Sequence, residues 1–139
     1  MSGGMRLVVV ALVVTAFYAW FGYSIPQSAW EAPKRVEISR QMSPAELAQV
    51  GKEIFKKAGC GVCHSTTGER LRGPDLSRIG AEWDPQSMAA ILYMGTDIMP
   101  PATGPPANLT HEEITALIAY MQTLGATPTV RIGDIVPPQ

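Results

Sequence analysis

An excess of charge of either sign is missing from this sequence. Its 139 residues carry 11 Lys or Arg against 12 Asp or Glu, a formal net charge of −1. That balance leaves no basic surface for a polyanion and excludes nucleic acid as an expected partner. No internal repeat occurs, and no window alternates apolar and polar residues for long enough to make a strand, so a sheet protein is excluded as well. Cysteine and histidine are scarce, with two of each. A zinc site needs four ligands and would have to recruit a carboxylate to complete the set. A disulfide between cysteines only two residues apart would stabilise little, because the loop it closes is so short.

Proline and glycine, by contrast, are plentiful at 12 and 13 residues. They gather between residues 95 and 106 and at the ends of the remaining segments, as punctuation. The N-terminal region is different in kind: "LVVVALVVTAFYAWFGYSI", residues 7–25, has no charge over 19 positions. As a helix it would span roughly 28 Å, about one hydrocarbon core. Tyr18, Trp20, Tyr23 and Trp30 collect towards its C-terminal end, where an interfacial aromatic belt would lie. The competing reading is a cleaved signal peptide. Against it stand the length of the apolar run and the lack of an A-x-A-like cleavage site, with Phe17 and Gln27 at poor positions before a cut. No cysteine lies near enough for a lipoprotein signal. Residues 1–25 are therefore expected to be an uncleaved membrane anchor. Arg6 on one side and Lys34 and Arg35 on the other give the positive-inside rule little to work with.

Residues 26–42 carry prolines and mixed charge without apolar period, and are expected to be a linker that reaches roughly 55 Å if extended. Three amphipathic helices are expected after it. The first opens on Ser43 as N-cap with Pro44 in the first turn and Glu46 completing a capping box; its stripe is Leu47, Val50, Ile54 and Ala58, with Phe55 beside it, and Gly59 stops it. The second is capped by Asp84, starts at Pro85, turns Met88, Ile91 and Leu92 inward and ends at Gly95. The third is capped by Thr110 with Glu113, carries Ile114, Leu117, Ile118, Met121 and Leu124 on its buried stripe, and ends at Gly125. Residues 43–125 thus form an all-α domain of about eighty residues, small enough that something large and apolar at its centre would make up for a meagre core. Residues 126–139 read as an extended tail. Its Ile132, Ile135 and Val136, set among prolines, suit a segment laid along a neighbouring protein.

Both cysteines stand in Cys60-Gly61-Val62-Cys63-His64, the C-x-x-C-H attachment pattern of c-type haem. Two thioether bonds hold the porphyrin edge to the chain, and the adjacent histidine then ligates the iron from one face. A thioredoxin-like dithiol would be expected within a βαβ pattern, which is absent.

Five features in order, "GKEIF", "CGVCH", "RGPDL", "MPP" and "LIAYMQTL", resemble the class I mono-haem cytochromes c across residues 43–125. The resemblance implies three to four helices around one covalent haem c, bound through Cys60 and Cys63, with His64 as proximal ligand. It places Pro74 where the family's proline carbonyl accepts the Nδ1–H of that histidine. It pairs Gly51 and Phe55 of the first helix with an aromatic of the last, here Tyr120. For the sixth ligand it points to Met99, which precedes Pro100-Pro101 and is therefore biased away from helix. Met94 is the next candidate; Met88 and Met121 read as core filler, and His111 as a solvent-facing residue of a capped first turn. An open sixth site also stays in view. Arg78 and Trp83 lie where small cytochromes place propionate partners, though an aromatic before a helix cap also serves as packing.

Lys52, Lys56, Lys57, Arg70, Arg72 and Arg78 surround the haem motif, while Glu82, Asp84, Asp97, Glu112 and Glu113 make the later part acidic. This is either a solvated surface or a dipolar domain steered towards an acidic docking site. His–Met ligation implies single-electron transfer, and haem c attachment in the family implies a periplasmic or equivalent location, with the N-terminus in the cytoplasm of a single-pass inner-membrane protein. Three functions follow: a fixed subunit of a membrane electron-transfer complex, as in respiratory or photosynthetic assemblies such as alternative complex III; a tethered shuttle moving between donor and acceptor proteins; or a haem enzyme with a labile sixth site.

Overall fold

The structure, a computed structural model, describes residues 2–24 and 37–138. The chain divides into two compact units, Met1–Arg35 and Val36–Gln139. Positions 25–36, which include Trp30, Lys34, Arg35 and most of the expected linker, lie outside the described residues.

The described part of the first unit holds one helix, α1 (Gly3–Ser24), 22 residues long with no residue buried. At 1.5 Å per residue it measures about 33 Å. By length and composition it is able to cross a membrane.

The second unit is all-helical; no strand occurs among the described residues. Its helices are α2 (Pro44–Lys57), α3 (Ile79–Glu82), α4 (Pro85–Met94) and α5 (His111–Thr123), and a 3₁₀ turn covers Cys60–Val62. Local chemistry sets the boundaries. Ser43 and Thr110 each form a full capping box, with Glu46 and Glu113 reaching back to the cap N–H. Asp84 caps α4 by accepting from the N–H of Gln86 and Ser87 at 3.0 Å. The short α3 carries no apolar period of its own and is the one helix the sequence pattern does not announce.

The α2–α5 contact is the most extensive in the unit, and Gly51 makes it close. A Cβ built there would come within 1.9 Å of the Ala116 carbonyl oxygen and 2.9 Å of Tyr120 Cβ. Only glycine allows the two backbones to meet at that distance. Leu47, Ala48, Ile54, Ala116 and Ala119 form the core on this side. The larger cluster joins Phe55, Met88, Leu92, Ile114, Leu117, Ile118 and Met121. Phe55 and Tyr120 meet edge to face at 5.4 Å, a favoured aromatic geometry. Val50, Ile91 and Leu124, expected on buried stripes, are only half-buried.

Helix α5 is buried on more than the expected stripe. Thr115, Ala116, Ala119 and Gln122 are also buried: Ala116 and Ala119 lie against α2, and the chain beyond residue 125 folds back onto Gln122. The Gln122 side-chain oxygen accepts from the N–H of Thr129 at 3.0 Å and of Val130 at 3.1 Å. Val130 and Ile135 enter the main core, each 4% exposed, and Ile132 packs against the α2–α5 cluster. Gln86 of α4 grips the Val136 backbone from both sides, accepting its N–H and donating to its carbonyl. The segment expected to lie along a neighbour is instead a strap on this domain, with only Val136 of its three named apolar residues left exposed. Its apolar residues find their burial within the chain. Ile38 and Met42, placed in the expected linker, likewise pack against the α2–α5 core.

Candidate haem site

Cys60, Cys63 and His64 are presented by one helical turn. The N–H groups of Cys63 and His64 both donate to the Cys60 carbonyl, at 3.2 and 3.0 Å. The C-x-x-C-H spacing thus places all three donor residues on one backbone turn closed by the Cys60 carbonyl. Neither cysteine is in a disulfide. Burial pushes the Cys60 thiol up, and the charge of Cys63 adds to the effect. A nucleophilic redox dithiol needs the opposite shift.

His64 is oriented by the loop that follows. Its Nδ1 lies 2.9 Å from the Pro74 carbonyl oxygen. A carbonyl can only accept, so the contact fixes the proton on Nδ1 and leaves Nε2 as the free lone pair for a metal. Gly73 makes the approach sterically feasible: a Cβ there would stand 2.6 Å from His64 Cε1 and 2.7 Å from Nδ1. Both halves of "GP" in "RGPDL" therefore have a stated job.

Met99 lies in the turn after α4. Its N–H donates to Thr96 Oγ1 at 3.1 Å and its carbonyl accepts from the Thr96 N–H at 2.8 Å. The following chain is pinned by Ala102 N–H donating to the Leu92 carbonyl at 2.8 Å. Met99 and Cys60 are both half-buried and pack against the same core cluster. The other methionines separate by environment. Met88 and Met121 are 3% and 6% exposed inside the core, whereas Met94 is 62% exposed.

His111 departs from the expectation of a solvent-facing residue. It is half-buried, and its Nδ1 is hydrogen-bonded to the Tyr93 hydroxyl. The first turn of α5 faces α4, which the cap alone does not reveal. Burial, and then the charge of Glu112, push the Tyr93 phenol up.

Arg78 and Trp83 bracket α3 as its N- and C-caps. Arg78 is exposed and pairs with Glu82 at 3.7 Å; Trp83, 45% exposed, lines a shallow cleft with Glu82, Asp84 and Ser87. These carboxylates are neighbours of the wrong sign for an anion. The basic residues named around the motif are all exposed, and the Lys56–Glu53 pair at 3.2 Å is a surface contact of about 0–1 kcal/mol.

The donor set fits a covalently held haem. Two thiols and an imidazole are carried by one backbone turn, the imidazole has its Nδ1 occupied, and the Met99 thioether packs on the same core as Cys60. Apolar side chains of both turns, Val62 at 77% and Ile98 at 87% exposure, stand outside the core of the polypeptide itself and suit a large apolar group. Among the described residues, no group of three His, Cys, Asp or Glu is arranged to hold an ion instead.

Fold and site together define a mono-haem class I c-type cytochrome domain. Residues 46–121 match the family described as cytochrome c oxidase, cbb3-type, subunit III. The chain belongs to that family, whose cytochrome domain has a haem-based electron-transfer role. No curated protein matches it.

Proposed function

We propose that this protein is a membrane-anchored cytochrome that passes single electrons as a fixed subunit of a multi-subunit complex in a respiratory or photosynthetic chain. One observation carries the cytochrome part of the reading: a single turn bears Cys60, Cys63 and His64, with the histidine's Nδ1–H committed to Pro74. In this reading Cys60 and Cys63 would hold one haem c by thioether bonds, and His64 through Nε2 and Met99 through Sδ would be the residues that ligate its iron. Bound haem would supply a one-electron couple, and ligation by a methionine and a histidine would raise its potential relative to two histidines. The chain's own residues do the rest: Pro74 fixes the imidazole tautomer, and the Thr96 turn holds the methionine. Arg78 and Trp83 are candidate propionate partners, for which Arg78 must leave Glu82.

Helix α1 anchors the protein in the inner membrane, with the N-terminus cytoplasmic and the cytochrome domain in the periplasm or its equivalent. Membership of an oxidase-subunit family supports an assembled role, with other subunits, a redox donor and a redox acceptor as partners. The shuttle reading has one observation in its favour, namely that the apolar helix and the cytochrome domain are separate compact units, as a tether requires. The deciding experiment is a native gel of membranes solubilised in mild detergent, stained for haem and probed for this chain. Migration within a large assembly is the expected result; migration near the chain's own mass would favour the shuttle.

A further inference from the structure

The Pro74 carbonyl is held in place by more than its own residue. A proline ring locks φ, so the remaining freedom of that carbonyl is rotation of the peptide joining Pro74 to Asp75. What fixes Asp75 therefore fixes the acceptor of the His64 hydrogen bond.

Asp75 is tied at both oxygens. Its Oδ1 accepts from the N–H of Gly68 at 3.1 Å, across the loop, and from the N–H of Ser77 at 3.2 Å. Its Oδ2 accepts from the Ser77 hydroxyl at 2.5 Å. Gly68 sits at φ +92°, which aims its N–H in a way other residues adopt only at a cost. The base of the loop is closed separately, by Gly73 N–H to the Cys63 carbonyl and Leu76 N–H to the Ser65 carbonyl, both 2.7 Å. Ser65, 5% exposed, fills the loop and accepts from the N–H of Thr67 and Glu69 at 3.1 Å. The carbonyl thus lies between a closed base and a carboxylate clamp.

From this geometry we infer that Asp75 is a positioning residue for the proximal ligand, acting through the Pro74 carbonyl to set how strongly His64 donates to iron. The inference rests on the haem reading above. A firm hydrogen bond at Nδ1 makes the imidazole more basic and favours the oxidised iron. Loosening it shifts the balance towards the reduced form and raises the midpoint potential, by ~59 mV for each tenfold change in that balance.

The test uses the full-length haem-loaded protein in detergent, comparing wild type, Asp75→Ala, Asp75→Asn and Ser77→Ala. Two readouts apply: the midpoint potential, and the solvent exchange of the His64 ring N–H followed by NMR in the reduced state. Asp75→Ala is expected to raise the potential and accelerate exchange. Asp75→Asn, which keeps an oxygen for the two backbone donors, is expected to restore both most of the way. Ser77→Ala removes one donor and should shift both readouts in the same direction by less, which also carries the test if Asp75→Ala does not mature. Variants that lose thermal stability while both readouts stay at wild-type values would overturn the inference, as would an Asn variant no better than Ala. A wild-type protein without covalent low-spin haem would overturn the underlying reading as well, which separates the two failures.

Discussion

His64 has two ring nitrogens, and the Pro74 carbonyl at 2.9 Å claims one of them. The same division of labour applies to the methionines: burial commits Met88 and Met121 to packing, while Met99 is held by Thr96 in a turn outside any helix. At this scale Met99→Ala is the sharpest variant. In the oxidised protein it should abolish the sulfur-to-iron charge-transfer band, and in the reduced protein it should admit carbon monoxide that the wild type excludes. An intact band in the variant would move the ligand to Met94 or elsewhere. Rapid carbon monoxide binding by the wild type would favour the enzyme reading. C-x-x-C-H, G-P and M-P-P are legible in sequence because each is contiguous and has a local mechanical cause, and the His64–Pro74 contact is the part the fold displays. His111 was not legible: its Tyr93 partner lies 18 positions away, and only the docking of α4 on α5 brings them together. The anchoring of Asp75 on Gly68 is not legible either, because it depends on how the loop between them closes.

Helices announced themselves through their ends. Ser43, Asp84 and Thr110 were read as caps from residue type and spacing, and each makes the cap hydrogen bonds in the fold. Thr110→Ala should cost about 1 kcal/mol of stability, read by thermal melting. Asp84 gives a pH test. Its carboxyl is held below the ordinary value of 3.8, first by the Ser87 hydroxyl and then by backbone N–H groups. A depressed folded-state value contributes stability above the unfolded pKa, and that contribution is lost as pH falls through the folded one. Melting temperature should therefore decline below about pH 4, and Asp84→Asn, which keeps a capping oxygen, should make the decline shallower. The α2–α5 contact offers a steric counterpart. A methyl at Gly51 meets backbone at 1.9 Å, so Gly51→Ala should destabilise by about 1–3 kcal/mol or more, lowering the melting temperature by several degrees. Helix α3 escaped the sequence reading because four residues are too few to display a period.

At the scale of the whole molecule, the strap changes what truncation means. Removing residues 126–139 exposes the sites of Val130 and Ile135, each a buried apolar side chain of about 1.5–3 kcal/mol, and leaves the Gln122 amide without its partners. The haem-loaded domain should melt at a lower temperature after this deletion even in isolation, a result that thermal melting of full-length and truncated proteins checks directly. An unchanged melting temperature would return the tail to the role of a segment waiting for a neighbour. The sequence showed the apolar residues of the tail but not their destination, since Gln122 and Gln86 are unremarkable polar residues until the chain folds back upon them. Charge is similarly ambiguous in sequence: Lys56–Glu53 and Arg78–Glu82 are exposed surface pairs, while Asp84 and Glu113 serve as helix-cap groups.

The central claim is that Cys60 and Cys63 hold haem covalently with His64 beneath it. Intact-mass measurement of the chain purified from native membranes, after acid denaturation, addresses it most directly. The account predicts that one haem per chain survives denaturation, and that a variant with both Cys60→Ala and Cys63→Ala runs at the mass of the polypeptide alone. A wild-type chain at the bare polypeptide mass, in membranes that mature other c-type cytochromes, would contradict it.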